Sequence, residues 1–172
     1  DFIYTLNSPS CNEVDFTSNF IGVEHFRLWD FGDPSSGANN SSTAAHPSHV
    51  FSSSGVFSVS LIVGFADGTD TCVVMYQDFV TIEAVADFEH FITCTATGYE
   101  VNFVDISDYL PGITIDHYDW HYGDGTSDLW TTDGTPTHVY APGNYTAKQR
   151  IYWNNGADYC EIEHNIEVLA VP

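Results

Sequence analysis

Basic side chains are almost missing from this sequence. Arg27, Lys148 and Arg150 stand against 24 acidic residues, for a formal net charge of −21. Nucleic-acid binders carry a basic footprint, so that class is excluded, and attachment to an anionic membrane with it. Long apolar runs are missing as well, and none reaches the length of a membrane-spanning helix. No stretch sustains helical periodicity with caps. No Cys-x-x-Cys pair occurs, which argues against a zinc or redox motif. A nucleophile elbow, a phosphate loop and a zinc-protease helix are all absent, so the chain reads as non-catalytic, with no cofactor required. It begins at Asp1 without an initiator methionine or a signal segment, as a fragment or processed product does.

What is present is a ladder of residues that occurs twice. The first copy runs Trp29-Asp30-Phe31-Gly32-Asp33, then Pro47-Ser48-His49-Val50-Phe51, Gly55-Val56-Phe57 and Cys72. The second runs Trp120-His121-Tyr122-Gly123-Asp124, then Pro136-Thr137-His138-Val139-Tyr140, Gly143-Asn144-Tyr145 and Cys160. The interval from glycine to cysteine is the same in both. Repetition fixes the architecture before any other signal, and it divides the chain into units 1–84 and 85–172. Units this small bury a limited share of their surface and are marginal unaided. An aromatic content of 15% and two cysteines per copy offset that.

The patterning is that of strands. Phe57, Val59, Leu61 and Val63 fall on one face, Ala66-Asp67-Gly68-Thr69 reads as a turn, and Thr71–Ile82 as the return strand. In the second copy Tyr145, Ala147, Gln149, Ile151 and Trp153 share the equivalent face, interrupted by Gln149, before the turn Asn154-Asn155-Gly156. Earlier strands are expected at Phe2–Leu6, Glu13–Thr17, His25–Phe31, Phe88–Thr93, Glu100–Asp105 and Asp116–Tyr122, and surface loops at Ser35–Ala45 and Thr126–Thr135. Short strands punctuated by Gly, Asn, Asp and Pro indicate an all-β sandwich in each unit. The junction Glu83-Ala84-Val85-Ala86 lacks the composition of a flexible linker, so the units are expected to abut end to end. Placing Asp1-Phe2 after Val171-Pro172 nearly recreates Val85-Ala86-Asp87-Phe88, so the chain is expected to be one period of a longer array.

The Trp-Asp-Phe-Gly-Asp signature, the Pro-x-His-x-Phe/Tyr segment and the Gly-x-Phe/Tyr strand resemble the PKD (polycystic kidney disease) domain, twice over. In the second copy His121-Tyr122 replaces Asp-Phe. The resemblance implies two tandem immunoglobulin-like sandwiches with an extracellular or cell-surface, non-catalytic role. Such domains serve as spacers, adhesion arrays or accessory modules of secreted hydrolases, and paired cysteines at these places resemble repeats of large bacterial adhesins and gliding-type surface proteins. The partners implied are neighbouring repeats, other surface proteins or polysaccharide.

Physical reasons for the motif stand beside the resemblance. Trp29 and Trp120 are large enough to fill the centre of a small core. Gly32 and Gly123 allow a left-handed turn, Asp33 and Asp124 bond turn amides, His49 and His138 take structural hydrogen-bonding positions, and Gly55 and Gly143 close the turn into the longest strand. Four cysteines allow three pairings, and repeat symmetry favours Cys11–Cys72 and Cys94–Cys160, each worth about 4 kcal/mol in the chain-entropy account. Asp30, Asp33, Asp124 and Asp128 supply hard oxygens suited to Ca²⁺, against ordinary turn capping. Trp153, Tyr152 and Trp130 are candidates to stack on a sugar ring, although Phe65 matches Trp153 in the first copy and points to packing there.

Overall fold

The computed structural model describes residues 1–67, 70–95 and 98–170. Gly68 and Thr69 of the expected Asp-Gly turn, and the terminal Val171-Pro172, lie outside the described residues. The chain divides into two compact units, Asp1–Glu83 and Ala84–Pro172.

The first unit contains β1 (Phe2–Leu6), β2 (Glu13–Ser18), β3 (Glu24–Asp30), a 3-10 segment over Pro34–Asn40, β4 (Ser41–Ser42), β5 (Ser48–Val50), β6 (Gly55–Asp67) and β7 (Asp70–Ile82). Its strands form two antiparallel sheets, β1-β2-β5 and β4-β3-β6-β7. The second unit contains β8 (Ala84–Val85), β9 (Phe88–Thr95), β10 (Gly98–Asp105), β11 (Asp108–Tyr109), β12 (His117–His121), β13 (Ser127–Thr131), β14 (Thr137–Tyr140), β15 (Gly143–Trp153) and β16 (Asp158–Val168). It repeats the plan with β9-β10-β14 and β13-β12-β15-β16, and adds the short pair β8-β11. Each unit is thus an immunoglobulin-like sandwich of two antiparallel sheets.

Both loops expected to be featureless carry a short edge strand, β4 or β13. Ser41-Ser42 gave no alternating signal and Leu129-Trp130 stand side by side, and the pairing comes from the backbone against Trp29-Asp30 or against Tyr118, Trp120 and His121. In each copy the tryptophan is wholly buried. Trp29 meets Phe2, Phe16 and Phe31; Trp120 meets Phe88 and Phe103. The indole nitrogens donate to loop carbonyls, Trp29 to Ala44 at 2.9 Å and Trp120 to Asp133 at 3.2 Å, so the large rings are buried without an orphaned donor.

Gly32 and Gly123 have φ of 69° and 79°, and a Cβ there would stand 2.4 Å from the carbonyl oxygen of Ser58 or Thr146. Steric exclusion and left-handed backbone both require glycine at these two turns. The second hairpin turns through Asn154, Asn155 and Gly156, all left-handed.

Gln149 points into the core, fully buried. Its Nε2 donates to Asp105 Oδ1 at 2.8 Å, and Tyr118 Oη donates to Asp105 Oδ2 at 3.0 Å. The break in the apolar face is therefore a polar contact between the two sheets. Lys148 and Arg150 on either side face outward in the same strand.

Candidate functional site

The duplicated motif builds a carboxylate–imidazole brace in each unit. Asp33 follows the left-handed Gly32, which turns its carboxylate inward, where it is 1% exposed. Its Oδ2 lies 3.2 Å from His49 Nε2 and accepts the Ser52 amide at 2.9 Å; its Oδ1 accepts the Ser52 hydroxyl at 2.5 Å. The His49 ring stacks on Phe31 at 4.3 Å and meets Phe51 edge-on at 4.6 Å. Burial pushes the Asp33 carboxyl up, but the Ser52 and His49 hydrogen bonds outweigh it and hold it below the usual carboxylate value.

In the second unit Asp124 Oδ2 lies 2.7 Å from His138 Nε2, and Oδ1 accepts the amide and hydroxyl of Thr126. His138 stacks on Tyr122 at 4.1 Å and meets Tyr140 edge-on. Burial opposes ionisation here too, and the Thr126 and His138 hydrogen bonds bring the Asp124 carboxyl down to about 2. This brace is more open to solvent, since the first copy has the Pro34–Asn40 segment beside it, with Asn40 Oδ1 accepting the Asp33 amide at 2.6 Å.

Asp, His and Ser in one cluster invite comparison with a hydrolytic triad. There the imidazole stands between carboxylate and hydroxyl. Here the Asp33 carboxylate is the hub and takes both the imidazole and the Ser52 hydroxyl. In the second copy the His138 Nε2 that lies 3.3 Å from the Thr126 hydroxyl is the same nitrogen that faces Asp124, so the imidazole relays nothing between carboxylate and hydroxyl. The cluster braces a turn against β5 and supplies no activated nucleophile.

The carboxylates considered for Ca²⁺ are placed separately. Asp30 Oδ1 accepts the Gly32 amide and the Asn40 amide group, and Asp128 Oδ2 accepts the Tyr122 hydroxyl at 2.7 Å. Among the described residues no three His, Cys, Asp or Glu side chains converge as metal ligands do.

The cysteine pairing is corrected. Cys72 is a half-buried free thiol and Cys94 an exposed one, while Cys11 and Cys160 are disulfide-bonded. Neither Cys11–Cys72 nor Cys94–Cys160 forms. The equal glycine-to-cysteine interval conceals a difference in hairpin register. β6 and β7 are 13 residues long, whereas β15 and β16 are 11. Each cysteine stands in the third pair from the hairpin end, but the longer ladder carries Cys72, opposite the half-buried Phe65, farther from the core than Cys160, which lies buried opposite the buried Ile151.

The aromatic candidates separate. Trp153 is 7% exposed and belongs to the core-facing side of β15. Tyr152 is half-buried on the outer face, and Trp130 is 74% exposed. A β-bulge in β13 sets Leu129 and Trp130 opposite Asp119, with Trp130 in the left-handed region at φ 57°. Its indole stacks on His117 at 4.1 Å and 9°, and His117 stacks on Tyr152 at 4.2 Å and 13°. Tyr152 leads on to Tyr159 at 5.4 Å, so the rings form a row across all four strands of the sheet. Sequence reasoning found Trp130 and Tyr152 but missed His117 and Tyr159. The register of β12, β15 and β16 aligns them, and only the alternation along each strand hinted at it.

The outer faces of the equivalent sheets differ sharply. In the first unit the cross-strand rows are Phe26–Gly64–Val73 and Leu28–Ile62–Met75. Phe26 lies on Gly64, where a Cβ would approach its ring to 2.2 Å. In the second unit the corresponding rows are His117–Tyr152–Tyr159 and Asp119–Arg150–Glu161, followed by His121–Lys148–Glu163. Lys148 pairs with Glu161 and Glu163 at 3.1 and 3.0 Å, and Arg150 with Glu161 at 2.6 Å.

Comparison with known proteins agrees with this duplicated plan. Residues 13–80 and 85–168 each match the family model described as PKD domain. The PKD1 domain of the Vibrio cholerae metalloprotease PrtV aligns at 26% identity over 52% of this chain and all of its own, with a TM-score of 0.43. The fibronectin(III)-like modules of Clostridium thermocellum CbhA align at 12% identity over 97% of this chain and 94% of theirs, with a TM-score of 0.33.

Proposed function

Since the chain belongs to the PKD domain family over both of its units, we propose that it is a non-catalytic segment of a cell-surface adhesin or filament, working as one period of a repeat array. PKD domains are generally extracellular, non-catalytic modules, and a disulfide fits an oxidising compartment. Among the described residues no helix is long and apolar enough to cross a membrane.

The observation that carries the reading is the fate of the shared polar residues. Asp33 and His49, and their counterparts Asp124 and His138, are consumed by bracing each other, with the remaining carboxylate oxygen taken by Ser52 after β5 in the first unit and by Thr126 within the turn itself in the second. Selection for a repeated, self-contained sandwich accounts for them, and recognition is left to the outer faces, where the copies differ. The proposed partners are neighbouring repeats of the parent protein and other surface molecules. The acidic surface keeps like arrays apart.

One observation favours a second reading, an accessory pair of a secreted hydrolase that holds polysaccharide or protein. Trp130 displays an indole that serves no core. Co-sedimentation with insoluble cellulose and chitin separates the two. A spacer stays in the supernatant. Retention that Trp130→Ala abolishes would overturn the array reading in favour of the accessory module.

A further inference from the structure

We infer that the Trp130 end of the aromatic row is a docking point for an arginine side chain of a partner protein. The site begins with an unusual backbone. A non-glycine residue in the left-handed region costs of order 1 kcal/mol, and here that conformation, set in a bulge of an edge strand, directs the indole outward from the sheet. Bulges re-aim side chains in this way beside functional sites. The indole is fixed rather than loose. One face is stacked on His117, and its own backbone amide donates to Asp119 Oδ1 at 2.9 Å. The other face is open, which is how a residue locked at both backbone and ring remains 74% exposed.

The surroundings select the charge of what it receives. Asp119 is 8% exposed, and its second oxygen accepts the Tyr152 hydroxyl at 3.0 Å. Both of these donors are neutral, and Arg150, which lies opposite Asp119 across the strands, is held by Glu161 and by the Tyr152 hydroxyl and makes no ion pair with Asp119 itself. His117 is 6% exposed and its Nε2 has no hydrogen-bond partner, and its ring stands between Trp130 and Tyr152 as a stacking element. Indole is the best aromatic face for a cation, and a carboxylate close by adds its own Coulomb attraction.

The far end of the row shows the same preference. There the Arg150 guanidinium lies over the Tyr159 ring, 5.5 Å from its centroid. No such group remains within the chain for Trp130. Arg27 is paired with Glu24, Lys148 with Glu161 and Glu163, and Arg150 with Glu161. With only three basic residues against 24 acidic ones, the cation must come from another molecule, which the net charge of −21 would also steer inward. A planar guanidinium stacks on an indole better than a compact, strongly hydrated ammonium does, hence arginine. The first unit has no equivalent, because Phe26 lies over Gly64 in the matching row.

The inference goes beyond the spacer reading, and failure to take up a cation leaves that reading standing. The test is titration of the whole chain, at physiological ionic strength, with Nα-acetyl-arginine amide and its neutral counterpart Nα-acetyl-citrulline amide. Binding is followed by the indole N–H resonance of Trp130 in two-dimensional NMR. The arginine compound is expected to shift that resonance saturably and about two- to fivefold more tightly than the citrulline compound. Trp130→Ala should abolish the saturable response and Trp130→Phe should retain part of it. Because the indole lies outside the core, the remaining spectrum serves as the folding control for both variants. Equal response to the two compounds, no saturable response, or a stronger response to a neutral oligosaccharide such as cellotetraose would overturn the proposal.

Discussion

Asp33 and Asp124 hold the same position in the two ladders and carry different risks. Asp33 is enclosed with His49, whereas the Asp124–His138 pair is half open. The Asp124 carboxyl falls from 3.8 to about 2 because donors from Thr126 and His138 outweigh burial. A carboxyl depressed in the folded state stabilises it above the unfolded pKa, and the stabilisation is lost as pH falls through the folded pKa. The window is therefore from about pH 4 down to about pH 2. Many other acidic groups titrate over that range, so the wild-type profile alone is uninformative. The stability difference between wild type and Asp124→Asn, from urea denaturation, is expected to be largest above pH 4 and to shrink as pH falls toward 2. A difference independent of pH would show that the carboxylate charge does not hold the turn. Asp33→Asn should behave in the same direction, since the Asp33 carboxyl is also lowered.

At the scale of elements, the hairpins explain both what could be foreseen and what could not. The strand faces, the central tryptophans and the obligate glycines followed from alternation, ring size and turn geometry. The disulfide pairing did not, because repeat symmetry was applied to positions in sequence while pairing depends on positions in the sheet. β6 and β7 extend past the length of β15 and β16, so Cys72 and Cys160 occupy different places despite equal intervals. Gln149 misled for a related reason. A polar residue on an inward-facing position looks like an interruption until its partner Asp105, distant in sequence, is seen. Trp130 was identified by type alone, and its stacking depends on a bulge with no local signature. The cysteine assignment gives a direct prediction. N-ethylmaleimide applied to the native, unreduced chain should label the exposed Cys94 first and the half-buried Cys72 more slowly. Cys11 and Cys160 should take label only after denaturation and reduction. Peptide mapping that finds native label on either of those two would refute the assignment.

For the whole molecule the governing quantity is charge. A net charge of −21 destabilises the compact state through self-repulsion, and screening acts on it within a Debye length of about 8 Å at physiological ionic strength. Acidic surfaces of this kind invite the suggestion of structural Ca²⁺, and two effects of added calcium chloride must then be kept apart. General screening depends on ionic strength and valence, whereas a specific site saturates and is emptied by a chelator. The turn carboxylates are occupied by donors from the protein itself, and among the described residues no group of ligands converges. Raising sodium chloride from low to physiological concentration should therefore raise the Tm. EDTA added at constant ionic strength should leave it unchanged. A drop in Tm with EDTA that calcium restores and magnesium does not would establish a structural Ca²⁺ site. A Tm that falls with sodium chloride would mean that the paired rows around Lys148 and Arg150 contribute more than the self-repulsion that salt relieves.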